Sequence, residues 1–458
     1  MGQPTQTPLS YSLPAFEESH YDDIETKLKS LSDLGFRWVT FTPTYKVTTF
    51  KRNRKVIIPG TPVPPQPAWL VALKILFRRI KAPTIKIFED TVYDLDLSPM
   101  PMAKLKTAVN KAVSMGFHVK IEPHLDYGIT FASTYEQNWR MFMRFHPDDG
   151  DSMNPHYYTA ILLQIFWIIR DAAKLPRPPE SGPACFALTL GSELDASLFE
   201  FSWAWNDVLS RLIALRKAAN LDNPFRLSFG HKLNFDTLTN LQTHLDRVNM
   251  ALRRDRMPQW NMATITGARA NAIPYLQRLD YCSFSFYAPI EPKLPSGTFD
   301  WTSAATDADE AAIAVEFAKV AQGLRAQLGT GVPLDIGEFG LGNLHGEGPY
   351  EDIPGDFVFE TMSGALEKHE GAFAARRKYV RALGKFLSQQ KSEFAAKPPR
   401  CSNYLPLTFW TVKQYDFLGL WDYDISRLDG PTFPHELVVD DELKEWVSGY
   451  NKKVYGEQ

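Results

Sequence analysis

Cysteine is scarce in this chain, with only Cys185, Cys282 and Cys401 among its 458 residues. An odd and sparse set of cysteines forms no disulfide framework, and these have no metal-ligand spacing. Charge of one sign is equally lacking, since the formal net charge is −3. That balance excludes a strongly basic protein and gives no electrostatic reason to expect nucleic acid or an anionic membrane as partner.

Long hydrophobic runs are also lacking, because the longest apolar stretch, residues 158–169, is too short to span a bilayer. The first residues, MGQPTQTPLSYSLP, contain neither the basic segment nor the apolar segment of a signal peptide. We therefore expect a cytoplasmic protein, or an exported one whose signal peptide has been removed. The sequence also contains no glycine-rich phosphate loop, no Ser-His-Asp order and no Cys-His pair. We expect neither a cofactor nor a metal.

What the chain does contain is 44% hydrophobic and 22% charged residues, a composition typical of a soluble globular protein with a large core. Aromatic residues make up 13% of the chain, with 11 tryptophans. Aromatic planes stack on the apolar C–H faces of sugar rings. The surplus therefore suits a carbohydrate cleft, although a large core also uses aromatic residues.

Short apolar runs rich in β-branched and aromatic residues alternate along the chain with longer amphipathic segments. This alternation predicts βαβ units and a parallel sheet. The predicted strands are 36–43, 84–89, 117–124, 186–191, 226–229, 281–287, 334–339 and 405–410. They are eight in number, which is the number that closes a (β/α)8 barrel, also called a TIM barrel.

The chain is longer than the roughly 250 residues of a bare barrel, so additional segments are expected. We assign residues 1–20 to an N-terminal extension and residues 21–458 to a single barrel domain. Insertions are predicted at 44–83, 130–155 and 341–372. Each insertion follows the C-terminal end of a predicted strand, which is the face where barrel enzymes carry their active sites.

Two carboxylates carry the predicted chemistry. The run ALTLGSE ends a strand at Glu193, and the run PLDIGE ends another at Glu338. By the strand count these are the fourth and seventh strands, so both side chains should project over the barrel mouth. Cleavage of a glycosidic bond with retention needs two carboxyl groups about 5–5.5 Å apart, one that donates a proton and one that attacks the anomeric carbon.

A glutamate ending strand four and another ending strand seven resemble the pattern of glycoside hydrolase clan GH-A. Within that clan the sequence is most similar to the β-mannanases of family 113. The runs that carry this resemblance are GFHVKIEPHLD at 116–126, GSEL at 191–194 and DYCSFSFY at 280–287. The resemblance implies a retaining mechanism with Glu193 as acid/base and Glu338 as nucleophile. It favours β-mannan as substrate, while β-glucan, β-galactan and bacterial exopolysaccharide remain open alternatives.

Four further residues are expected to bind the sugar because of their position. His124 and Asp126 follow the third predicted strand, and His231 and Asn234 follow the fifth. Side chains at these strand ends face the mouth of a barrel, where sugar hydroxyl groups would lie.

The resemblance implies three more sugar-binding residues. Ser192 stands where most of the clan has an asparagine that bonds the sugar 2-OH, and a hydroxyl makes a similar contact with shorter reach. Tyr287 resembles a tyrosine that hydrogen-bonds the nucleophile, and Trp410 resembles the aromatic floor beneath the sugar being cleaved. Trp139 and Arg140, in the second predicted insertion, are candidates for an outer subsite.

Two other classes of function compete with a glycoside hydrolase. A carbohydrate-binding barrel without catalysis would not need a pair of glutamates at these strand ends. An aldolase or isomerase barrel would need a lysine at the end of strand six, or carboxylates and histidines on several strands that bind a metal. The sequence predicts neither arrangement. The expected partner is therefore an oligo- or polysaccharide.

Overall fold

The computed structural model describes residues 7–15, 21–59, 85–96, 102–127, 140–148, 157–222, 226–234, 237–254, 257–286, 307–339, 384, 387, 405–409 and 441–456. Its centre is a ring of parallel strands, and a two-stranded antiparallel arm extends from this ring. The ring strands, in order, are β1 Leu9–Ala15, the first part of β2 Trp38–Pro59, β4 His118–Ile121, β6 Phe186–Ser192, β7 Leu227–Asn234, β8 Tyr281–Phe286, β9 Leu334–Phe339 and β10 Leu407–Phe409.

The ring is closed, because β1 pairs in parallel with β2 on one side and with β10 on the other. Helices surround the ring, lying between its successive strands from β1 to β9 and after β10. They are α1 Ile24–Asp33, α2 Met102–Ser114, α3 Leu163–Ala172, α4 Asp195–Ala218, α5 Leu241–Arg254, α6 Met262–Arg278, α7 Asp307–Leu328 and α8 Asp441–Tyr455. The predicted (β/α)8 barrel is therefore confirmed.

The helix α2 shows how the sequence forms these outer elements. Its buried residues Leu105, Val109, Ala112 and Val113 recur at helical spacing and lie on one apolar face. Gly116 follows the helix with φ +95°, a left-handed conformation that glycine adopts without steric cost. Among the described residues, no helix is both long and apolar enough to cross a membrane.

Two predictions about the strands are wrong. Leu9–Ala15, which was assigned to the N-terminal extension 1–20, is the first strand of the ring. The predicted strand 84–89 lies outside the ring, because β3, Ile85–Asp96, pairs antiparallel with the outer part of β2 to form the arm. Because one ring strand, β1, was missed and one strand outside the ring, β3, was counted in its place, the predicted numbers of the later ring strands are unchanged. Glu193 and Glu338 therefore do stand at the ends of the fourth and seventh ring strands, Glu193 directly after β6 and Glu338 as the penultimate residue of β9.

The arm replaces the first part of the insertion predicted at 44–83. Strand β2 runs without interruption from the ring to Pro59, and β5, His124–Tyr127, pairs in parallel with it just beyond the ring. Residues 60–84 lie outside the described residues, as do 128–139, 149–156 and the whole predicted insertion 341–372.

The interior of the barrel is polar where β1 and β2 meet. Ser10 Oγ lies 2.8 Å from Thr40 Oγ1, and Ser12 Oγ lies 2.9 Å from Thr42 Oγ1. Thr40 continues this hydroxyl contact to Thr408 on β10, at 3.1 Å. Bulky apolar side chains are the usual filling of such barrels. Strand β1 was missed because its alternation of serine with apolar residues is typical of a half-exposed strand, not of one buried in a ring.

Candidate active site

An irregularity in strand pairing precedes each of the two predicted catalytic glutamates. The register between β6 and β7 shifts between Thr189 and Ser192, directly before Glu193. The register between β8 and β9 shifts between Ile336 and Glu338. Extra residues of this kind turn the following side chain to a new direction and occur beside active sites. Both glutamates thus leave the regular alternation of their strands at the same end of the barrel.

The backbone of Glu193 has an unusual conformation, with φ +54°. Such left-handed geometry costs about 1–3 kcal/mol for a residue with a side chain, and it is found where the surroundings hold it in place. The Glu193 backbone N–H donates to the carbonyl oxygen of Lys232 on β7 at 2.9 Å. The carboxylate is completely buried. This strain is consistent with a side chain that is held in one direction for a functional reason.

Arg140 is the charged partner of Glu193, with its Nη2 atom 2.7 Å from Glu193 Oε2. It begins the short 3-10 helix Arg140–Phe142. The segment that follows is anchored to α4, because Arg144 donates to Glu200 through Nε at 2.7 Å and Nη2 at 2.5 Å. A guanidinium at this distance favours the ionised form of a carboxyl group. Arg140 therefore contacts a predicted catalytic residue, where the sequence suggested an outer subsite.

Lys232 is the charged partner of Glu338, and its Nζ donates to Glu338 Oε2 at 2.7 Å. The same Nζ lies 3.1 Å from His124 Nε2. Burial raises the pKa of Glu338, Lys232 lowers it and Glu193 raises it again, so that the pKa lies above its ordinary value. The effect of Glu193 on this pKa indicates that the two glutamates share one electrostatic environment.

A chain of buried charges continues from Lys232 into the barrel. Lys232 Nζ donates to Glu122 Oε2 at 3.1 Å, and Lys120 Nζ lies 2.7 Å from Glu122 Oε1. Lys120 also pairs with Asp335, which accepts a further hydrogen bond from Ser283 at 2.9 Å. Burial would raise the pKa of Glu122, but Lys120 and Lys232 together bring it below its ordinary value.

His124 and Ser192, two of the predicted sugar ligands, lie next to the two glutamates. His124 Nε2 is 4.0 Å from Glu338 Oε2. Burial, with Arg140 and Lys232 adding to it, keeps the pKa of His124 well below its ordinary value, so the imidazole is neutral near pH 7. Ser192 immediately precedes Glu193 and is buried, and its Oγ has no hydrogen-bond partner among the described residues. This hydroxyl therefore remains a candidate ligand.

Three other predicted residues are placed only in part. Asp126 lies on β5, which continues the wall of the barrel next to β2. Tyr287 directly follows β8, and Trp410 directly follows β10, but both lie outside the described residues, as does Trp139. Their roles stay predictions.

The prediction for His231 is corrected by its position. The fifth ring strand continues past Phe229 to Asn234, so side chains along β7 alternate between the two faces. His231 lies on the helix side, where its Nδ1 is 3.1 Å from Tyr275 Oη and its ring packs against Trp205. Burial lowers its pKa to about 3. His231 is a packing residue, and the neighbouring Lys232 faces the interior in its place.

Asn234 braces the start of α4. Its Nδ2 donates to Asp195 Oδ2 at 3.0 Å, and Thr237 donates to the same oxygen at 2.5 Å. Burial raises the pKa of Asp195 to about 7, although both of these hydrogen bonds lower it. The amide of Asn234 is therefore already bonded to Asp195, which lies two residues after Glu193. A contact between this amide and sugar would compete with that hydrogen bond.

Sequence reasoning missed Lys232, Glu122 and Lys120. The run HVKIE before His124 contains two of these residues, and its alternation of apolar and charged positions was the available signal. That alternation separates two faces of a strand but does not say which one lines the barrel. Only the ring, which brings the third, fifth and seventh strands together, shows that the charged face is the interior.

Gly337 provides the space that this charged cluster occupies. A Cβ atom at this position would overlap Ser283 Oγ and would lie 2.8 Å from Glu122 Oε1 and 3.0 Å from Lys232 Cδ. We expect Gly337→Ala to lower the free energy of unfolding by about 1–3 kcal/mol, because the interior has no room to adjust. Urea denaturation measures this change.

The matched control for this substitution is Gly267→Ala. Gly267 lies within α6, and a Cβ atom there would have no neighbour within 4 Å. Alanine favours a helix over glycine by up to about 1 kcal/mol, so this variant should be as stable as the original chain or more so. Equal stability of both variants would contradict the close packing around Gly337.

No group of three or more histidine, cysteine, aspartate or glutamate side chains within the described ranges is arranged to hold a metal ion. Protein-family models do not match this chain, and no curated protein matches its sequence. Solved structures do resemble it in fold. They include a β-1,4-mannanase of glycoside hydrolase family 113, with a TM-score of 0.44 and 9% identity over 99% of both chains.

Two further structures are similar in the same way. The family 1 β-glucosidase from Thermotoga maritima has a TM-score of 0.41 and 9% identity over 98% of both chains. The family 53 glycoside hydrolase catalytic domain from Ignisphaera aggregans has a TM-score of 0.36 and 12% identity, over 89% of this chain and 86% of that one. At these identities the likeness concerns the fold alone.

Proposed function

We propose that this chain is a retaining glycoside hydrolase that cleaves a β-linked oligo- or polysaccharide by double displacement. The observation that carries the proposal is the pair of buried glutamates at the ends of the fourth and seventh strands of a (β/α)8 barrel, Glu193 directly after β6 and Glu338 as the penultimate residue of β9. Each follows a register shift, and each has a cation within 2.7 Å. For retention we expect their carboxyl groups to lie about 5–5.5 Å apart.

In the proposed reaction, Glu338 attacks the anomeric carbon while Glu193 donates a proton to the leaving oxygen. The covalent glycosyl–enzyme is then hydrolysed by water, from which Glu193, now ionised, removes a proton. Lys232 favours the ionised Glu338 that the first step requires, because a nearby cation stabilises a carboxylate. His124, Asp126, Ser192, Tyr287 and Trp410 are the proposed sugar ligands.

Arg140 affects the two steps in opposite ways. It favours the ionised form of Glu193, which is the general base of the second step. The first step needs Glu193 protonated. We therefore expect Arg140 to move away from Glu193 when substrate enters the cleft, and to return after the leaving group has departed. We expect this movement to be a rotation of the Arg140 side chain, because Arg144 attaches the residues that follow to α4.

β-Mannan is the first substrate to test, because the runs around Glu193 and before Asp126 resemble those of the family 113 β-mannanases. β-Glucan, β-galactan and bacterial exopolysaccharide are alternatives that the same catalytic pair would serve. The two glutamates determine the reaction at the bond that is cleaved, and contacts made by the loops determine which neighbouring sugars fit.

Lys232 brings one rival function back into consideration, since an interior lysine is what an aldolase barrel uses. A lysine that forms a Schiff base must be uncharged, and its pKa is lowered for that purpose. Burial lowers the pKa of Lys232, but Glu122 and Glu338 outweigh burial and raise the pKa above its ordinary value. The two carboxylates therefore favour the charged form of Lys232, which does not suit an aldolase.

The test of the proposed function is a screen of chromogenic β-glycosides and soluble polysaccharides, followed by proton NMR of the first product. We expect hydrolysis in which the β-anomer appears first and then mutarotates, because two displacements at one carbon restore its configuration. An α-anomer as first product would contradict the retaining mechanism. Saturable binding of a polysaccharide without hydrolysis would indicate a carbohydrate-binding barrel instead.

A further inference from the structure

The charged residues inside this barrel form one continuous chain that ends at the proposed nucleophile. In order, its members are Asp335, Lys120, Glu122, Lys232 and Glu338, and their charges alternate. All are buried, and none has more than 3% of its surface exposed. They come from the third, fifth and seventh ring strands, or directly follow them. Burial of so many charges is costly unless each one is paired.

Glu122 occupies the centre of this chain and competes with Glu338 for Lys232. Its Oε2 accepts from Lys232 at 3.1 Å, while its Oε1 lies 2.7 Å from Lys120 Nζ and accepts from Thr189 at 3.2 Å. Lys232 is closer to Glu338, at 2.7 Å. The strength with which Lys232 holds Glu338 therefore depends on how firmly Lys120 holds Glu122.

We infer that Lys232, supported by Glu122 and Lys120, is a positioning residue that holds the Glu338 carboxylate ionised and in one orientation. This inference rests on the proposed function, because it concerns the nucleophile of that reaction. Other charged or titratable groups near Glu338, within the part of the chain that the structure describes, are Glu193 and Arg140 at the barrel mouth and His124 on β5. Lys232 is a cation whose contact with Glu338 is a direct ion pair, at 2.7 Å.

Substitutions of the cations and of the anion Glu122 in this series of buried charges should shift the acid limb of the pH profile of kcat/KM in opposite directions. In Lys232→Met, Glu338 loses its cation, so the limb of kcat/KM should shift upward by about one pH unit or more. We expect kcat to fall about 100-fold, with a smaller change in KM. In Glu122→Gln, the competitor for Lys232 loses its charge, so the limb should shift downward. Lys120→Met should shift the limb upward by less than Lys232→Met.

Arg216→Met is the matched control for the loss of a buried cation. Arg216 is 2% exposed and pairs with Asp280 at 2.5 Å and Asp222 at 2.8 Å, on the outer side of the barrel wall. This variant should be less stable but should keep the acid limb in place. A shift of the same sign in Lys232→Met and Glu122→Gln, or a shift in the Arg216 control, would overturn the inference.

A second measurement separates this inference from the proposed function, because it needs no catalysis. The stabilities of Lys232→Met, Glu338→Gln and the double variant are compared by urea denaturation. If Lys232 and Glu338 form one unit, the double variant should be more stable than the sum of the single losses predicts. Additive losses would overturn the inference even in a protein without hydrolase activity. If Lys232→Met does not fold, the same comparison is made with Glu122→Gln, Glu338→Gln and their double variant. Additive losses of stability in that set would also overturn the inference.

Discussion

Glu338→Gln should abolish turnover on every substrate that the original chain hydrolyses, with kcat/KM lower by about 10⁴-fold or more. The amide has nearly the shape of the carboxylate but cannot attack the anomeric carbon, so the covalent intermediate does not form. Lys232 retains Glu122 as a partner, and the fold should survive. Turnover of a dinitrophenyl β-glycoside measures the effect, and circular dichroism confirms the fold.

The control for this variant is Glu25→Gln, which alters an exposed carboxylate on α1 with 71% of its side chain accessible. It should turn over substrate at the original rate. Incubation of the original chain with a 2-deoxy-2-fluoro dinitrophenyl glycoside should also trap the intermediate, and peptide mass analysis should place the sugar on Glu338. A sugar found on Glu193 would show that the two roles are reversed.

The charges around the two glutamates make one alternative worth testing, in which Glu193 is the nucleophile and Glu338 the acid/base. Arg140 favours an ionised Glu193, which is the state of a nucleophile, while burial raises the pKa of Glu338. Lys232 argues for the proposed assignment, since its ammonium group lies 2.7 Å from Glu338 and is fully buried in the barrel interior. Arg140 begins a short 3-10 helix at the mouth and is 10% exposed, so we expect its contact to be the easier one to break.

The two strands that end in glutamates were predicted from the sequence because their residue patterns are typical of buried parallel strands. Both β6 and β9 are buried along their whole length, and each run carries several bulky apolar residues. Strands of that kind belong in a parallel sheet covered on both faces. Their positions in the ring were predicted as four and seven, and the ring confirms that order although one strand before them was missed.

The remaining errors have a common physical cause, which is the polar interior of the barrel. A hydrophobic pattern identifies strands by assuming that the interior is apolar, but here Ser10, Ser12 and Lys120 point inward. Strand β1 therefore resembled an extension, and the apolar run of β3 resembled a ring strand. Because of the same assumption, the predicted fifth strand ended at Phe229, and Lys232 was not assigned to the site. Pairing partners, which a single sequence does not contain, decide these cases.

Glu193→Gln should give a variant whose activity depends on the leaving group. Substrates with poor leaving groups need a proton from Glu193, so their turnover should fall by about 10²–10⁴-fold. Dinitrophenyl glycosides need little protonation, and their first step should proceed at a rate closer to the original. The second step then lacks its general base, so a burst of dinitrophenol followed by slow turnover is expected in stopped-flow absorbance.

Azide should restore turnover of the Glu193→Gln variant, because this nucleophile needs no general base. Arg140 would no longer face a carboxylate in this variant, and its positive charge should favour the approach of an anion. The product should be the β-glycosyl azide, since azide attacks the glycosyl–enzyme from the face opposite Glu338. In Glu338→Gln, azide should instead give the α-glycosyl azide by a single displacement. Proton NMR distinguishes the two products, and an α-azide from the Glu193 variant would mean that Glu193 is the nucleophile.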